Sequence, residues 1–572
     1  MADISNIRVR DVFTWAGPII GQDRDFFVLA LVYGVGIGLL ALATPISVQV
    51  LINSIGNTGL VAPLLTLAGI LLVLLLLWAV LNGFRTYLME IFRRRFVARL
   101  AAEITVRVVH AESPFFQDDR RSDLINRYFE LMTIHKAIPS LFIGGFAILL
   151  QGGIGLILTS FYHPFFLLFN LLFVLLLWII WRVFARRAMV TSIASCREKY
   201  ALAHWLESVG SSDGFYKSGR HLDYALQRTE EHSADYISAQ RNHFARMFPQ
   251  NMALYVLYAV ASASLLALGG WLVIEEELSL GQLIAAELIL SSVFYGVSQL
   301  GAYMEYFYDL VAGLEELTLI YSLKQENRGE GVKYAPHPSS ATLTLNNVRF
   351  KHDYGPVRFE LTIPEGANLV ASGDPGMERL FSYLLKRHVV PDGGITLLGG
   401  IDITVLDILE LRSDIIVLDR PNIVETTILE YLNLSNASGN SGDVVAALKL
   451  VGLFDRAALL PEGLQTALSS TGWPLSLPKT MQLKLAAAIL SKPRILVLSP
   501  LLDMVSLHRM AAVFRHLSVS KTTVIYFSNR PEDVTLDGFL WVGRENQEIL
   551  SSREEFDQLR SKVGKGPAIV TA

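Results

Sequence analysis

The chain has 572 residues, 52% of them hydrophobic and only 18% charged, with a mean hydropathy of +0.40 and a formal net charge of -4. That is too apolar for an ordinary soluble chain of this length, so a large part of it faces lipid. The balanced charge lacks the basic stripe of a nucleic-acid binder, and a single cysteine, Cys196, excludes a disulfide framework or a zinc set within one chain.

Residues 1–25 mix acidic and basic side chains and offer no clean small-residue cleavage site, so they read as a cytoplasmic elbow and not as a secretory signal. A bilayer core takes roughly 20 apolar residues per helix. Six stretches qualify: 26–52, 60–81, 138–158, 165–180, 252–274 and 283–300. The connections at 56–59, 162–164 and 275–277 are tight and contain no Lys or Arg. The other two are long and basic, with Arg85, Arg93, Arg94, Arg95, Arg99 and Arg107 in one and Arg182, Arg186, Arg187 and Arg197 in the next. Excess Lys and Arg mark the cytoplasmic side. The tight turns are therefore expected outside and both termini inside, in a cell inner membrane. Both long connections keep helical periodicity, which extends the membrane helices into the cytoplasm. Residues 26–323 thus read as a six-helix transmembrane domain with long intracellular helical loops.

The apolar pattern stops near Leu323, and residues 324–340 have the composition of a linker. From 341 to 572, short β-rich runs (342–345, 367–372, 415–418, 495–498 and 523–527) alternate with helical patterns, the signature of an α/β domain.

Several stretches carry a resemblance. They are Ala43-Thr44-Pro45 through Gln49 and Asn53, Gly83 to Tyr87, Ser113-Pro114-Phe115-Phe116-Gln117 with Ser122 to Arg127, and Leu278 to Ala285. In the second half they are Pro391-Asp392-Gly393-Gly394, Gly400-Ile401-Asp402-Ile403, Leu411-Arg412 and Lys492 to Leu498. Over essentially its whole length the sequence resembles a half-size ABC exporter of the type I secretion and bacteriocin branch. The resemblance implies a fold: an α-helical membrane domain of the ABC exporter type, with six transmembrane helices, fused to an α/β P-loop-type nucleotide-binding domain.

The resemblance also says where nucleotide would be held, and there the sequence departs from the pattern. The phosphate loop G-x-x-G-x-G-K-[ST] cradles phosphates with backbone N–H groups, a Lys and a Mg²⁺-binding hydroxyl. Here it reads Gly373-Asp374-Pro375-Gly376-Met377-Glu378. With the x-G before the Lys left out, Met377 stands at the Lys and Glu378 at the hydroxyl; Pro375 has no N–H to donate, and Arg379, further down the expected helix, is one compensating charge. Each carboxylate placed against a phosphate costs on the order of 4 kcal/mol at a surface-like dielectric. The strand-end Asp-Glu pair reads Ser499-Pro500, which neither grips a divalent metal nor acts as a general base. The L-S-G-G-Q signature reads Leu475-Ser476-Leu477-Pro478-Lys479, the switch histidine position is Asn529, the Q-loop position is Asp419 or Arg420, and the adenine-stacking aromatic appears as His352. These departures lead to the expectation of a degenerate nucleotide-binding domain without catalytic residues, metal or cofactor, with ATP and Mg²⁺ not binding productively and no ATP hydrolysis.

Glu287 stands inside the last apolar stretch, a short way from the outer turn. An intramembrane carboxylate is a functional candidate by default: it could line a cavity, bind a cation or carry protons, or simply lie near the headgroups. Gln49, Asn53, Gln151, Asn170 and Gln299 are cavity candidates of lower weight, because polar groups also glue helices together. Asp503 with His508 suggests at most a weak metal pair, and Cys196 reads as an incidental thiol.

Three functions are compatible with these residues. The first is an exporter-like homodimer acting as a transport-related conduit, scaffold or regulator. The second is the inactive half of a heterodimer with an active ABC half, which exports peptides or proteins. The third is a membrane sensor whose nucleotide fold binds another ligand or partner. The secretion-branch resemblance implies a polypeptide cargo and a periplasmic adaptor; no nucleic-acid partner is expected. No N-terminal peptidase domain is expected either, since little precedes the first membrane helix.

Overall fold

The computed structural model describes residues 9–57, 61–112, 126–212, 214–326, 338–352, 355–436, 439–530 and 536–563. The chain forms two compact units, Met1–Gln325 and Glu326–Ala572. The stretches 113–117 and 122–125, read above as part of a coupling region, lie outside the described residues.

The first unit is helical because lipid offers no water to satisfy backbone groups, and a helix closes its hydrogen bonds within one segment. Its elements are α1 (Val9–Ile20), α2 (Arg24–Ala41), α3 (Ala43–Asn57), α4 (Val61–Val109), α5 (Glu130–Ser140), α6 (Phe146–Ser160), α7 (Pro164–Gly210), α8 (Gly219–Ile274) and α9 (Leu280–Tyr321). Among the described residues, six helical spans are long and apolar enough to cross a membrane. The first is bent: α2 gives way to α3 at Leu42, and Pro45, which has no N–H, falls in the first turn of α3, where no intrahelical donor is needed. A single turn of π-helix, Leu141–Gly145, joins α5 to α6 just after Pro139, and the Tyr303 ring fills the space beside Gly144.

Helices α4, α7 and α8 have 49, 47 and 56 residues. At the rise of an α-helix they are about 70–84 Å long, more than twice the roughly 30 Å of a bilayer core. Within the apolar part the helices meet over small residues. Gly34 and Gly38 of α2 face Leu150 and Ile154 of α6, Gly155 of α6 faces Ile289 of α9, and Gly269 of α8 faces Leu283 of α9. Because lipid is as apolar as Leu, such close approach supplies the attraction that water would otherwise drive. The α6–α7 turn is pinned by the Tyr162 hydroxyl donating to Gln49 at 2.8 Å and by Asn170 donating to the hydroxyls of Thr159 and Ser160. Ser279 and Gln282 form a reciprocal capping box that starts α9.

Beyond the apolar part, charges are buried in pairs. Glu130 accepts from Lys199 and, at 3.0 Å, from the Tyr200 hydroxyl. Arg127 pairs with Glu316, and Arg197 with Glu315 at 2.5 Å. Asp23, 1% exposed, accepts from Arg99 at 2.6 Å, and Arg99 also donates to the Ile19 carbonyl, which ties the segment after α1 to α4.

The second unit contains β1 (Leu343–His352), β2 (Gly355–Ile363), β3 (Asn368–Gly373), α10 (Met377–Leu385), β4 (Gly393–Leu398), β5 (Ile401–Asp402), α11 (Ile408–Asp414), β6 (Ile415–Leu418), β7 (Thr426–Thr427) and α12 (Ile428–Ser435). It continues with α13 (Ser441–Leu450), α14 (Phe454–Ala458), β8 (Ala467–Leu468), α15 (Leu477–Leu490), β9 (Ile495–Leu498), α16 (Leu507–Val519), β10 (Thr523–Phe527), β11 (Gly538–Val542), β12 (Gln547–Leu550) and α17 (Arg553–Val563). One sheet, β2-β1-β4-β5, is antiparallel. The other runs β12-β11-β3-β10-β9-β6, and its strands from β11 to β6 are parallel. Strands β9 and β10 are buried along their whole length, as runs such as Ile495-Leu496-Val497-Leu498 require.

Removing one partner of a buried pair costs up to about 3–5 kcal/mol, and less at Asp23, where Arg95 remains at 3.7 Å. Arg99→Gln is therefore expected to lower the melting temperature of the purified protein, whereas Arg24→Gln, whose side chain is 83% exposed, leaves it unchanged. Thermal unfolding of the two variants side by side checks this.

Candidate functional site

Parallel strands deliver their carboxyl ends to one edge, the usual ligand edge of an open α/β sheet. Here the register pairs Ala371 of β3 with Phe527 of β10, Tyr526 with Leu498 of β9, and Leu498 with Leu418 of β6. The residues that follow each strand are therefore brought together: the loop Gly373-Asp374-Pro375-Gly376, then Asn529, Ser499-Pro500 and Asp419. Two other candidate residues are placed elsewhere. Ser476 is the exposed residue before α15, and His352 ends β1 in the antiparallel sheet, with its side chain outside the described residues.

The loop depends on its glycines. Gly376 sits at φ 86°, open to glycine at no steric cost, just before α10. A Cβ on Gly373 would stand 2.1 Å from the Val542 carbonyl, so only glycine fits there. The polar contacts of the loop are made within the protein. The Asp374 N–H donates to the Val542 carbonyl at 3.1 Å, its carboxylate accepts from the Arg544 N–H at 2.9 Å, and the Met377 N–H donates to the Asp374 carbonyl at 3.0 Å. Asp374 thereby staples the loop to the β11–β12 turn. Met377 is 2% exposed and packs in the core with Phe381, Leu384 and Leu540.

Glu378 opens α10 half-buried, and burial first, then Asp419 and Asp503, push its carboxyl up to about 7. Ser499 is buried, donates its N–H to the Leu418 carbonyl at 3.1 Å and caps the short turn that begins at Pro500. Asp503, considered in the sequence only with His508, proves to be a hub. Its carboxylate accepts from the Tyr526 hydroxyl, from the Ser528 hydroxyl at 2.8 Å and from the Asn529 N–H at 2.9 Å. Among the described residues no three His, Cys, Asp or Glu side chains form a metal-holding group.

Two further residues escaped the sequence reading. Lys484 donates to the carbonyls of Arg420 and Asn422 at 2.6 and 2.9 Å, fixing the segment that follows β6, and burial holds its ammonium below the usual range. Arg412 grips Glu326 through two bonds of 2.8 and 2.6 Å. Burial, then the charges of Arg412 and Lys386, push the neighbouring His388 down to about 4. Arg412 falls in the Leu411-Arg412 stretch of the resemblance and Lys484 in no motif, but the partners of both show only in the folded contacts.

In the membrane unit, Gln49 is occupied by Tyr162, and Asn53 packs against Gly281 at the start of α9. Glu287 accepts from the Ser291 hydroxyl at 2.8 Å. No hydrogen bond among the described residues joins these three side chains to one another.

With this geometry in hand, three comparisons with known proteins are informative. The family pattern described as ABC transporter transmembrane region matches residues 27–208. The exotoxin translocation ATP-binding protein PaxB of Pasteurella aerogenes is 25% identical over 533 residues, covering 90% of this chain and 73% of that protein. The alpha-hemolysin translocation ATP-binding protein HlyB of Escherichia coli is 24% identical over 498 residues, covering 85% and 69%. The leukotoxin translocation ATP-binding protein LktB of Mannheimia haemolytica is 24% identical over 501 residues, covering 85% and 69%. A solved bacterial Atm1-family ABC exporter with ATP bound superposes with a TM-score of 0.76 at 17% identity, covering 96% of this chain and 99% of that one. The chain has the ABC exporter fold, and it is similar along most of its length to secretion translocators.

One expectation is corrected by these findings. The motif departures led to the view that this chain is not an enzyme and does not hydrolyse ATP. The relatives that align over 85–90% of it are ATP-binding translocation proteins. Changed side chains describe the pocket; they do not remove the activity of the relatives' fold.

The shift on Glu378 makes a pH prediction. A carboxyl whose folded value is raised keeps its proton in the fold where the unfolded chain has released it, so its favourable contribution is present below the ordinary 4.5 and lost as pH climbs through about 7. Glu378→Gln is expected to match wild type in acid and to melt at a higher temperature than wild type above neutrality. Melting curves of both proteins across that range provide the check.

Proposed function

We propose that this ABC exporter-like membrane protein works as a homodimeric conduit for a polypeptide, and that its nucleotide-binding domain is degenerate at the phosphate and metal positions. The observation that carries the reading is the pairing of an exporter fold with a loop whose Met377 is buried in the core and whose Glu378 stands half-buried beside it. The relatives are translocators of an exotoxin, a hemolysin and a leukotoxin by name, which supports a protein or peptide cargo and, with it, a periplasmic adaptor. The basic intracellular connections favour an inner-membrane orientation with both termini in the cytoplasm.

Dimerisation is supported by the long helix α8. Outside the apolar stretch it leaves Leu226, Ile237, Phe244 and Phe248 about half or more exposed in the single protomer. Their spacing of 11, 7 and 4 residues puts them on one face. Exposed apolar side chains in one row on a helix mark a surface that another helix covers, here interrupted by Glu230, Ser233 and Arg241. The double variant Ile237→Glu, Phe244→Glu is expected to shift the detergent-solubilised protein from dimer towards monomer. Light scattering coupled to size exclusion reads the mass, and an unchanged dimer overturns this assignment of the interface.

The nucleotide part of the reading concerns the ligand. Without a lysine on the loop and with Glu378 and Ser499-Pro500 at the metal positions, ATP gains little from magnesium in this pocket. Titration of the full-length protein with a fluorescent ATP analogue is expected to give affinities that differ by less than about threefold with and without magnesium. Magnesium-dependent tightening of about tenfold or more, roughly 1.4 kcal/mol, contradicts it.

A further inference from the structure

Within the six apolar stretches 26–52, 60–81, 138–158, 165–180, 252–274 and 283–300, Glu287 is the one charged side chain. Its surroundings follow from the helix packing. Helices α8 and α9 run antiparallel, with Leu283 against Gly269 and Gly301 against Asn251. One turn along α9 from Leu283, Glu287 is level with Leu265 of α8, which is fully buried. On the other side of α9, Ile289 and Val293 lie against Gly155 of α6. The membrane stretches of α3, α6, α7 and α8 contain no Lys or Arg.

The carboxylate is thus half-served. Oε1 accepts from the Ser291 hydroxyl at 2.8 Å. Oε2 is closed off from solvent and meets no donor among the described residues. A hydroxyl glue residue explains one oxygen and not the other. Carboxylates in a membrane helix are retained where something positive meets them, and this chain supplies nothing positive at that level.

We propose that Glu287, with Ser291 beside it, forms a subsite in the membrane bundle for a single positive charge. Two sources share that chemistry: a free monovalent cation, and the ammonium group of a basic side chain on a polypeptide in transit. The second source rests on the export reading above; the first does not.

The test uses the full-length protein in neutral phosphatidylcholine nanodiscs. Its melting temperature is measured at equal ionic strength in the chloride salts of sodium, methylammonium and N-methyl-D-glucamine, the last too bulky to enter. Sodium or methylammonium is expected to raise the wild-type melting temperature over the bulky control, and the shift is lost in Glu287→Gln. Ser291→Ala, which keeps the carboxylate and removes its one hydroxyl partner, is expected to reduce the shift without abolishing it. A response to sodium alone assigns the site to a free ion, and one to methylammonium alone to a basic side chain. No shift in wild type with either salt, or an equal shift in Glu287→Gln, overturns the proposal. Should Glu287→Gln fail to fold, the pair Glu287→Asp and Glu287→Asn makes the same comparison at matched size.

Discussion

The membrane unit depends on a cluster of buried charges at the end of its bundle. Glu130 on α5 takes bonds from Lys199 and Tyr200 on α7, while Arg127 and Arg197 hold Glu316 and Glu315 on α9. In the apolar part, helices are held by close contact over glycine, an attraction without direction. The ion pairs are directional and desolvated, so they fix which turn of α5, α7 and α9 faces which. Breaking such pairs is expensive, whereas their net contribution relative to an apolar core is modest. Their effect is therefore chiefly on register, and helices of 42 to 56 residues need a register fixed far from the bilayer.

The nucleotide-binding fold shows the opposite distribution. Its framework is intact: parallel strands in the order β11-β3-β10-β9-β6, glycines where the backbone crowds Val542 or turns left-handed, and α10 leading away from the loop. At the strand-end edge, side chains bond or pack within the domain. Asp374 binds Arg544, Met377 joins the core, Asp503 collects Tyr526, Ser528 and the Asn529 backbone, and Lys484 holds the segment after β6. The loop is thereby stabilised by the protein itself.

Much of this was legible in the sequence, for identifiable reasons. Apolar runs near 20 residues fix membrane helices, and short β-branched runs such as Ile495 to Leu498 fix buried strands, since both signals are strong and local. The gathering of Gly373, Asp419, Ser499 and Asn529 at one edge followed from the spacing of the exporter pattern. The break at Leu42 was missed because Pro45 is tolerated in the first turn of a helix and the apolar pattern runs through it. Asp503 and Lys484 were missed because their partners are backbone groups and residues tens of positions away. The enzymatic expectation failed for a different reason: motif residues report on contacts at one pocket, and similarity over most of the chain reports on the whole machine.

The central claim is that an exporter framework surrounds a rebuilt nucleotide pocket. A cryo-EM structure of the full-length protein in nanodiscs with a non-hydrolysable ATP analogue and magnesium tests it most directly. The account predicts a two-fold dimer in which Met377 stays in the core and no metal bridges Glu378 or Ser499 to a phosphate. A magnesium ion coordinated at Glu378 between the protein and the terminal phosphate would contradict it.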